Sequence, residues 1–143
     1  MEKLYLIVRI AGELIALDAN EVDSVVEVDA IAPVPRVPAR IAGLFALRSR
    51  VLTVIDTRAA LGLGRSETPE NSEAVVIRVD GHSYALLVEA VEDVAAAGSV
   101  APLMAIVGGS WARVAIGQLL VEDKTLLLVD PARFVSGIEE LAA

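Results

Sequence analysis

Apolar and polar positions alternate along two stretches of this chain, and each alternation breaks at a glycine. Leu6, Val8 and Ile10 alternate with Tyr5, Ile7 and Arg9 before Gly12, after which "LIAL", Leu14 to Leu17, begins. A period of two predicts strands, and a glycine between two such runs predicts a hairpin. Val75, Ile77 and Val79 repeat the pattern ahead of Asp80-Gly81, a pair suited to a tight turn between antiparallel strands. "RVLTVI" from Arg50 and "KTLLLV" from Lys124 are short continuous apolar runs, as expected for strands buried on both faces.

These segments belong to an internal repeat. Leu6 to Val25 lies over Val75 to Val94 with a constant shift of 69 and no gap, so that Arg9 meets Arg78, Gly12 meets Gly81 and Val22 meets Val91. "VLTVIDTRAAL" from Val51 lies over "TLLLVDPARFV" from Thr125 with a shift of 74, which aligns Asp56 with Asp130 and Gly43 with Gly117. Two ordered blocks at nearly one shift predict one module used twice, with a small insertion in the second copy.

Asp56 and Asp130 read as helix caps. Asp is a favoured N-cap, and Pro131 suits a first helical position because its missing N–H has no partner to lose. "DTRAALGL" predicts one or two helical turns ending near Gly62. The polar stretch Gly62 to Glu73 is the natural connector, giving a first module at about 1–64 and a second at about 74–137. Each would be a small barrel-like unit, marginal alone. Two such units should share a buried interface with a groove along their junction.

Composition narrows the class. Of the 143 residues, 55% are hydrophobic and 3% aromatic, so the core must be built from Val, Ile, Leu and Ala. The absence of Cys removes disulfides and zinc–sulfur sites, and fits a cytosolic protein. The net charge of −8 argues against a nucleic-acid partner, and scarce aromatics leave little for base stacking. No signal peptide is expected from "MEKLYLIVRI". Val94 to Ala112 is uncharged and long, but its glycines, serines and Pro102 predict a loop with short buried segments.

Candidate chemistry is thin. His82 is the single histidine and is expected on a solvated loop, with no second ligand or nucleophile in its pattern. The glycines of "GLGRS" and "VGGS" lack phosphate-loop spacing, and "VEAVED" reads as a solvated strand edge. An unrecognised hydrolase would need Asp56, Asp130 and His82 to converge. No catalytic residue, metal or cofactor is expected. Charge is more informative: Arg36, Arg40, Arg48, Arg50, Arg58 and Arg65 cluster with one acid, Asp56, giving +5 there and −13 elsewhere. Such asymmetry suggests an oriented protein–protein surface.

The ordered set of motifs resembles the CheW family of chemotaxis adaptors and the related regulatory domain of the kinase CheA. "IAGLFALRSRVLTVIDTR", Ile41 to Arg58, has the spacing of the family's loose consensus "IKGVxNLRGxxxPVIDLR". "LIALDANEVDSVVEV", "YALLVEAVEDV" and "TLLLVDPARFV" resemble its remaining segments, so the likeness runs from about residue 4 to 137.

That resemblance implies an all-β fold with short helices: two intertwined five-stranded β-barrels, with strands exchanged between modules, and an apolar groove between them. It implies a noncatalytic scaffold bridging a CheA-type histidine kinase regulatory domain to the cytoplasmic tip of a methyl-accepting receptor, working in the cytoplasm at receptor arrays. One module would pair with the kinase, and the groove would take the receptor. Arg48 matches the family's arginine, and Val22 and Val25 are groove candidates. Ser24, Ser49, Arg50, Glu89 and Val91 complete the expected protein-binding set. Departures fall at Ala46, Ser49, Thr53, Ser24 and Glu89, where the family has Asn, Gly, Pro, Glu and Asp. Losing Gly at Ser49 predicts a changed turn, since Ser tolerates positive φ poorly. A divergent member that binds one partner only, or competes with a main adaptor, is the alternative.

Overall fold

The computed structural model of the chain describes residues 2–66, 72–98, 100–102 and 109–135. Parts of the expected connector (67–71) and of the uncharged stretch (99 and 103–108) lie outside the described residues. The first half holds β1 (Lys3–Ile10), β2 (Glu13–Asp18), β3 (Ser24–Val28), β4 (Ile41–Leu47), β5 (Arg50–Ile55) and a one-turn helix α1 (Thr57–Ala60). The second holds β6 (Ser72–Val79), β7 (His82–Val88), β8 (Ala90–Ala97), β9 (Val100–Ala101), β10 (Ala115–Val121) and β11 (Lys124–Val129). Short 3₁₀ turns occupy Ala19–Glu21 and Trp111–Arg113.

The strand boundaries reproduce the repeat. β1 and β6 differ by 69 positions, whereas β4 and β10, and β5 and β11, differ by 74. Two curled sheets result, with orders β8-β1-β2-β11-β10-β9 and β3-β6-β7-β5-β4. Each contains one parallel seam between copies. Leu127 and Leu128 of β11 pair with Ile15 and Ala16 of β2, and Thr53 to Ile55 of β5 pair with Tyr84 to Leu86 of β7. Every sheet therefore takes its hairpin from one copy and its closing pair of strands from the other.

The pleat explains the unbroken apolar runs. Leu6, Val8, Ile10, Ile15 and Leu17 project from the first sheet against Val75, Ile77, Leu86 and Val88 of the second. Their neighbours point the other way: Tyr5, Ile7 and Ala16 fill the first sheet's concavity, and Ala74, Val76, Ala85 and Leu87 fill the second's. Hairpin strands thus have no solvent face. The centre of the barrel junction is consequently packed core; the expected groove survives only as clefts beside it.

The paired glycines have a steric cause. Both β4 and β10 carry a register shift, next to Gly43 and Gly117 respectively. A crossing segment approaches each: Ala32 bridges Leu44, and Ala101 pairs with Gln118. A Cβ on Gly43 would stand 2.3 Å from the Ala32 carbonyl oxygen, and one on Gly117 would stand 2.7 Å from a Val100 methyl.

The uncharged stretch begins in β8, not in a loop, because Ala95 and Ala97 turn into the first sheet's core. No helix among the described residues is long and apolar enough to cross a membrane. His82 is exposed, as expected, but it opens β7 directly after the Asp80-Gly81 turn.

Candidate functional site

Of the clefts beside the packed junction, two hold expected binding residues. The first, about 390 Å³, is lined by Asn20, Glu21, Val22, Asp23, Ile77, Val79 and Pro131 among others. The second, about 780 Å³, is bordered by Ile10, Ala11, Arg58, Leu63, Arg65 and Glu89 among others. They share no lining residue.

The sequence-predicted binding residues divide between these places. Val22 is half-buried, packs against the inter-barrel core and lines the first cleft. Ser24 and Val25 follow on the edge strand β3, paired with Val76 and Val75. Val25 keeps 41% of its surface exposed, on the same side of the sheet as buried Val75. Arg48, Ser49 and Arg50 are exposed at the β4–β5 turn, and Arg50 lies 3.8 Å from the Asp23 carboxylate. That pair brings the turn beside the first cleft. Glu89 and Val91 are elsewhere: Glu89 borders the second cleft, and the Val91 N–H donates to Glu73 Oε1 at 3.2 Å.

The altered turn places its positive φ on Arg48 (57°) and none on Ser49. The matching β10–β11 turn instead bends both Glu122 and Asp123 to positive φ, at 47° and 69°. The turn without a glycine at position 49 thus puts its left-handed residue on the arginine itself. Glu89 is committed locally. Its N–H donates to the Arg9 carbonyl at 2.8 Å, and its Oε1 accepts from the Gly12 N–H at 2.9 Å, tying the start of β8 to the β1–β2 turn.

The basic run is not one surface. Arg40 is 4% exposed, and its Nε donates to the Val135 carbonyl at 3.2 Å. Arg50 faces Asp23, while Arg58 and Arg65 line the second cleft. Local sequence carries no signal for Arg40, since its partner is 95 positions away. Thr57 and Ser66 are likewise recognised only in three dimensions. Buried Thr57 donates its Oγ1 proton to the Leu87 carbonyl at 2.6 Å, which pins α1 to β7. Ser66 donates both its N–H and its Oγ to Asp56, each at 2.8 Å.

The two aspartates end strands and begin turns. Asp56 is the N-cap of α1, accepting from the Ala59 N–H at 3.2 Å in addition to Ser66. Asp130 Oδ1 accepts from the Ala132 N–H at 3.1 Å, and its Oδ2 lies 3.7 Å from Arg133. No hydrogen bond among the described residues links Asp56, Asp130 and His82, and no cluster of three potential metal ligands forms among them.

Near the first cleft the electrostatics are acidic. Partial burial raises the Glu21 carboxyl from its ordinary value, and the charges of Asp130 and Asp18 add to this. Burial pushes Asp18 the same way, but the hydrogen bonds from Lys3 and the Asn20 N–H, with the Lys3 charge, outweigh it and leave Asp18 lowered.

A duplicated pair of curled sheets, exchanging strands and leaving clefts between the two copies, places the molecule among double-barrel β-domains. The family profile described as the CheW-like domain matches residues 4–139, and the chain belongs to that family. It is 30% identical over 100 residues to the chemotaxis protein CheW of Rhizobium meliloti (strain 1021), a match covering 68% of this chain and 64% of the relative. The chain thus spans slightly under two thirds of that protein's length. The crystal structure of the scaffolding protein TtCheW from Thermoanaerobacter tengcongensis is similar with a TM-score of 0.78 and 27% identity. That match covers 92% of this chain and 86% of the other.

Proposed function

We propose that this chain is a noncatalytic chemosensory scaffold, joining a CheA-type histidine kinase regulatory domain to the cytoplasmic tip of a methyl-accepting receptor. One observation carries the reading. A CheW-like domain spans nearly the whole chain and presents its arginine turn beside a cleft floored by the inter-barrel core. The receptor tip meets Val22 and Val25 with apolar contact, while Arg48 and Arg50 orient it. The kinase domain pairs with an exposed barrel edge, where backbone hydrogen bonds supply affinity. The protein works in the cytoplasm, drawn to membrane-associated arrays by its partners.

Co-elution with a CheA regulatory domain from the same source tests the kinase arm: a complex at tens of micromolar is expected, and none would sink it. Receptor-dependent kinase stimulation tests the other arm. Kinase binding without stimulation would favour a one-partner or competing member, the reading to which Ala46, Ser49, Thr53 and Ser24 point.

A further inference from the structure

The two clefts occupy matching places in the repeat, yet their chemistry differs. Ile10, Thr57, Arg58 and Glu89 of the second correspond to Val79, Pro131, Ala132 and Asn20 of the first. The first has Glu21 and Asp23 on its wall, with Arg78 as its cation. The second has two cations, Arg58 and Arg65, beside apolar Ile10, Leu63 and Val88.

Those cations are available. Among the described residues no carboxylate lies within 4 Å of either, whereas Lys3, Arg9, Arg50 and Arg133 each have one. The cleft's own acids are engaged with backbone: Glu89 accepts from the Gly12 N–H, and Glu73 accepts from the Val91 N–H. The cations also stand on anchored backbone. Arg58 follows Thr57, which is bonded to the Leu87 carbonyl, and Arg65 precedes Ser66, which is bonded twice to Asp56. Leu63 keeps 38% of its surface exposed between them in the chain.

We propose that the second cleft is a docking site for an acidic amphipathic segment of a partner protein. Its apolar side chains seat on Ile10, Leu63 and Val88, and its carboxylates pair with Arg58 and Arg65. About 780 Å³ accommodates a few anchoring side chains, with the rest of a helix lying across the mouth. The mixture favours a peptide over nucleic acid, because apolar anchors line the cleft and no aromatic ring among its described lining residues offers a platform for base stacking. The site goes beyond the kinase and receptor assignments: of the residues expected to bind those partners, Glu89 alone is among its described lining.

The test titrates the ¹⁵N-labelled full chain with a helical peptide bearing leucines four apart and flanking glutamates. Amides of Ala11, Leu63, Ser66 and Glu89 should shift, while those of Asn20 to Asp23 stay in place. Replacing the peptide's glutamates with glutamines should weaken binding about tenfold, roughly one charge-assisted contact. The exposed double variant R58E/R65E should do the same with unchanged spectral dispersion elsewhere. Equal binding of the two peptides, shifts confined to the first cleft, or the same shifts from a thymidine oligonucleotide would each overturn the proposal.

Discussion

The Arg50 guanidinium lies 3.8 Å from the Asp23 carboxylate, so the β4–β5 turn is held to the residue that leads into β3. Both side chains are nearly half exposed, and solvent screens the attraction. Its consequence is geometric: the turn that carries Arg48 is held near Asp23, on the wall of the first cleft. Arg50→Ala should cost less than about 1 kcal/mol in urea unfolding. Arg48→Ala should leave kinase-domain binding intact while abolishing receptor-dependent stimulation. Loss of both together would assign Arg48 to the kinase contact instead.

Gly43 and Gly117 are equivalent in sequence but should differ in tolerance. An alanine methyl at Gly43 meets a backbone carbonyl oxygen at φ +150°, and neither can yield easily. At Gly117 the nearest atom is a side-chain methyl, which can rotate away. Gly43→Ala should lower stability by at least about 2 kcal/mol and Gly117→Ala by roughly half of that. Thermal melts of the two variants rank them.

Asp56 accepts three hydrogen bonds while 3% exposed. An amide there can accept from one side only, and its NH₂ would confront a donor from Ser66. Asp56→Asn should therefore destabilise by about 1–3 kcal/mol, little less than Asp56→Ala. Asn performing as well as Asp would show that the Ser66 bonds contribute nothing.

The β1–β2 turn places Ala11 at φ 50°, where the repeat has Asp80 at φ 50°. A left-handed alanine is strained, and Asn is better suited to this conformation. Ala11→Asn should raise stability by roughly 0.5–1 kcal/mol, read as a higher urea midpoint with unchanged slope.

Glu21 and Asp18 should have opposite pH signatures. Glu21 is raised in the folded state, so the fold holds its proton more tightly than the unfolded chain. It lowers stability as pH climbs above the ordinary glutamate value of 4.5 through the folded value. Glu21→Gln should then melt slightly higher at pH 7 and match the parent near pH 3. Asp18 is lowered, so its contribution is complete above 3.8 and fades as pH falls through the folded value. Asp18→Asn should melt lower at pH 7, with the gap closing in acid.

Much of this architecture is local and was legible in the chain. Alternation and the Asp80-Gly81 turn are set by contacts within a few residues and fix strands and hairpins; the in-phase Gly43 and Gly117 were visible as a repeat, while the crossing segments that require them were not. Asp56 and Asp130 follow the same rule, because each carboxylate accepts from an N–H two or three positions further on. Arg48 was legible as a turn residue too, although not as the one taking the positive φ.

Tertiary structure decided how the copies combine. β5 carries the same kind of apolar run as β11, and parallel pairing is made by backbone groups that every residue owns. Nothing in a strand's own residues therefore says whether β7 or β2 is its neighbour. That choice buried both faces of the hairpins and reduced the junction groove to separate clefts. It also dispersed the basic run, sending Arg40 inward to Val135, Arg50 to Asp23, and Arg58 with Arg65 to the second cleft. Composition fixed how many charges the chain carries; long-range closure of the sheets fixed which of them share a surface.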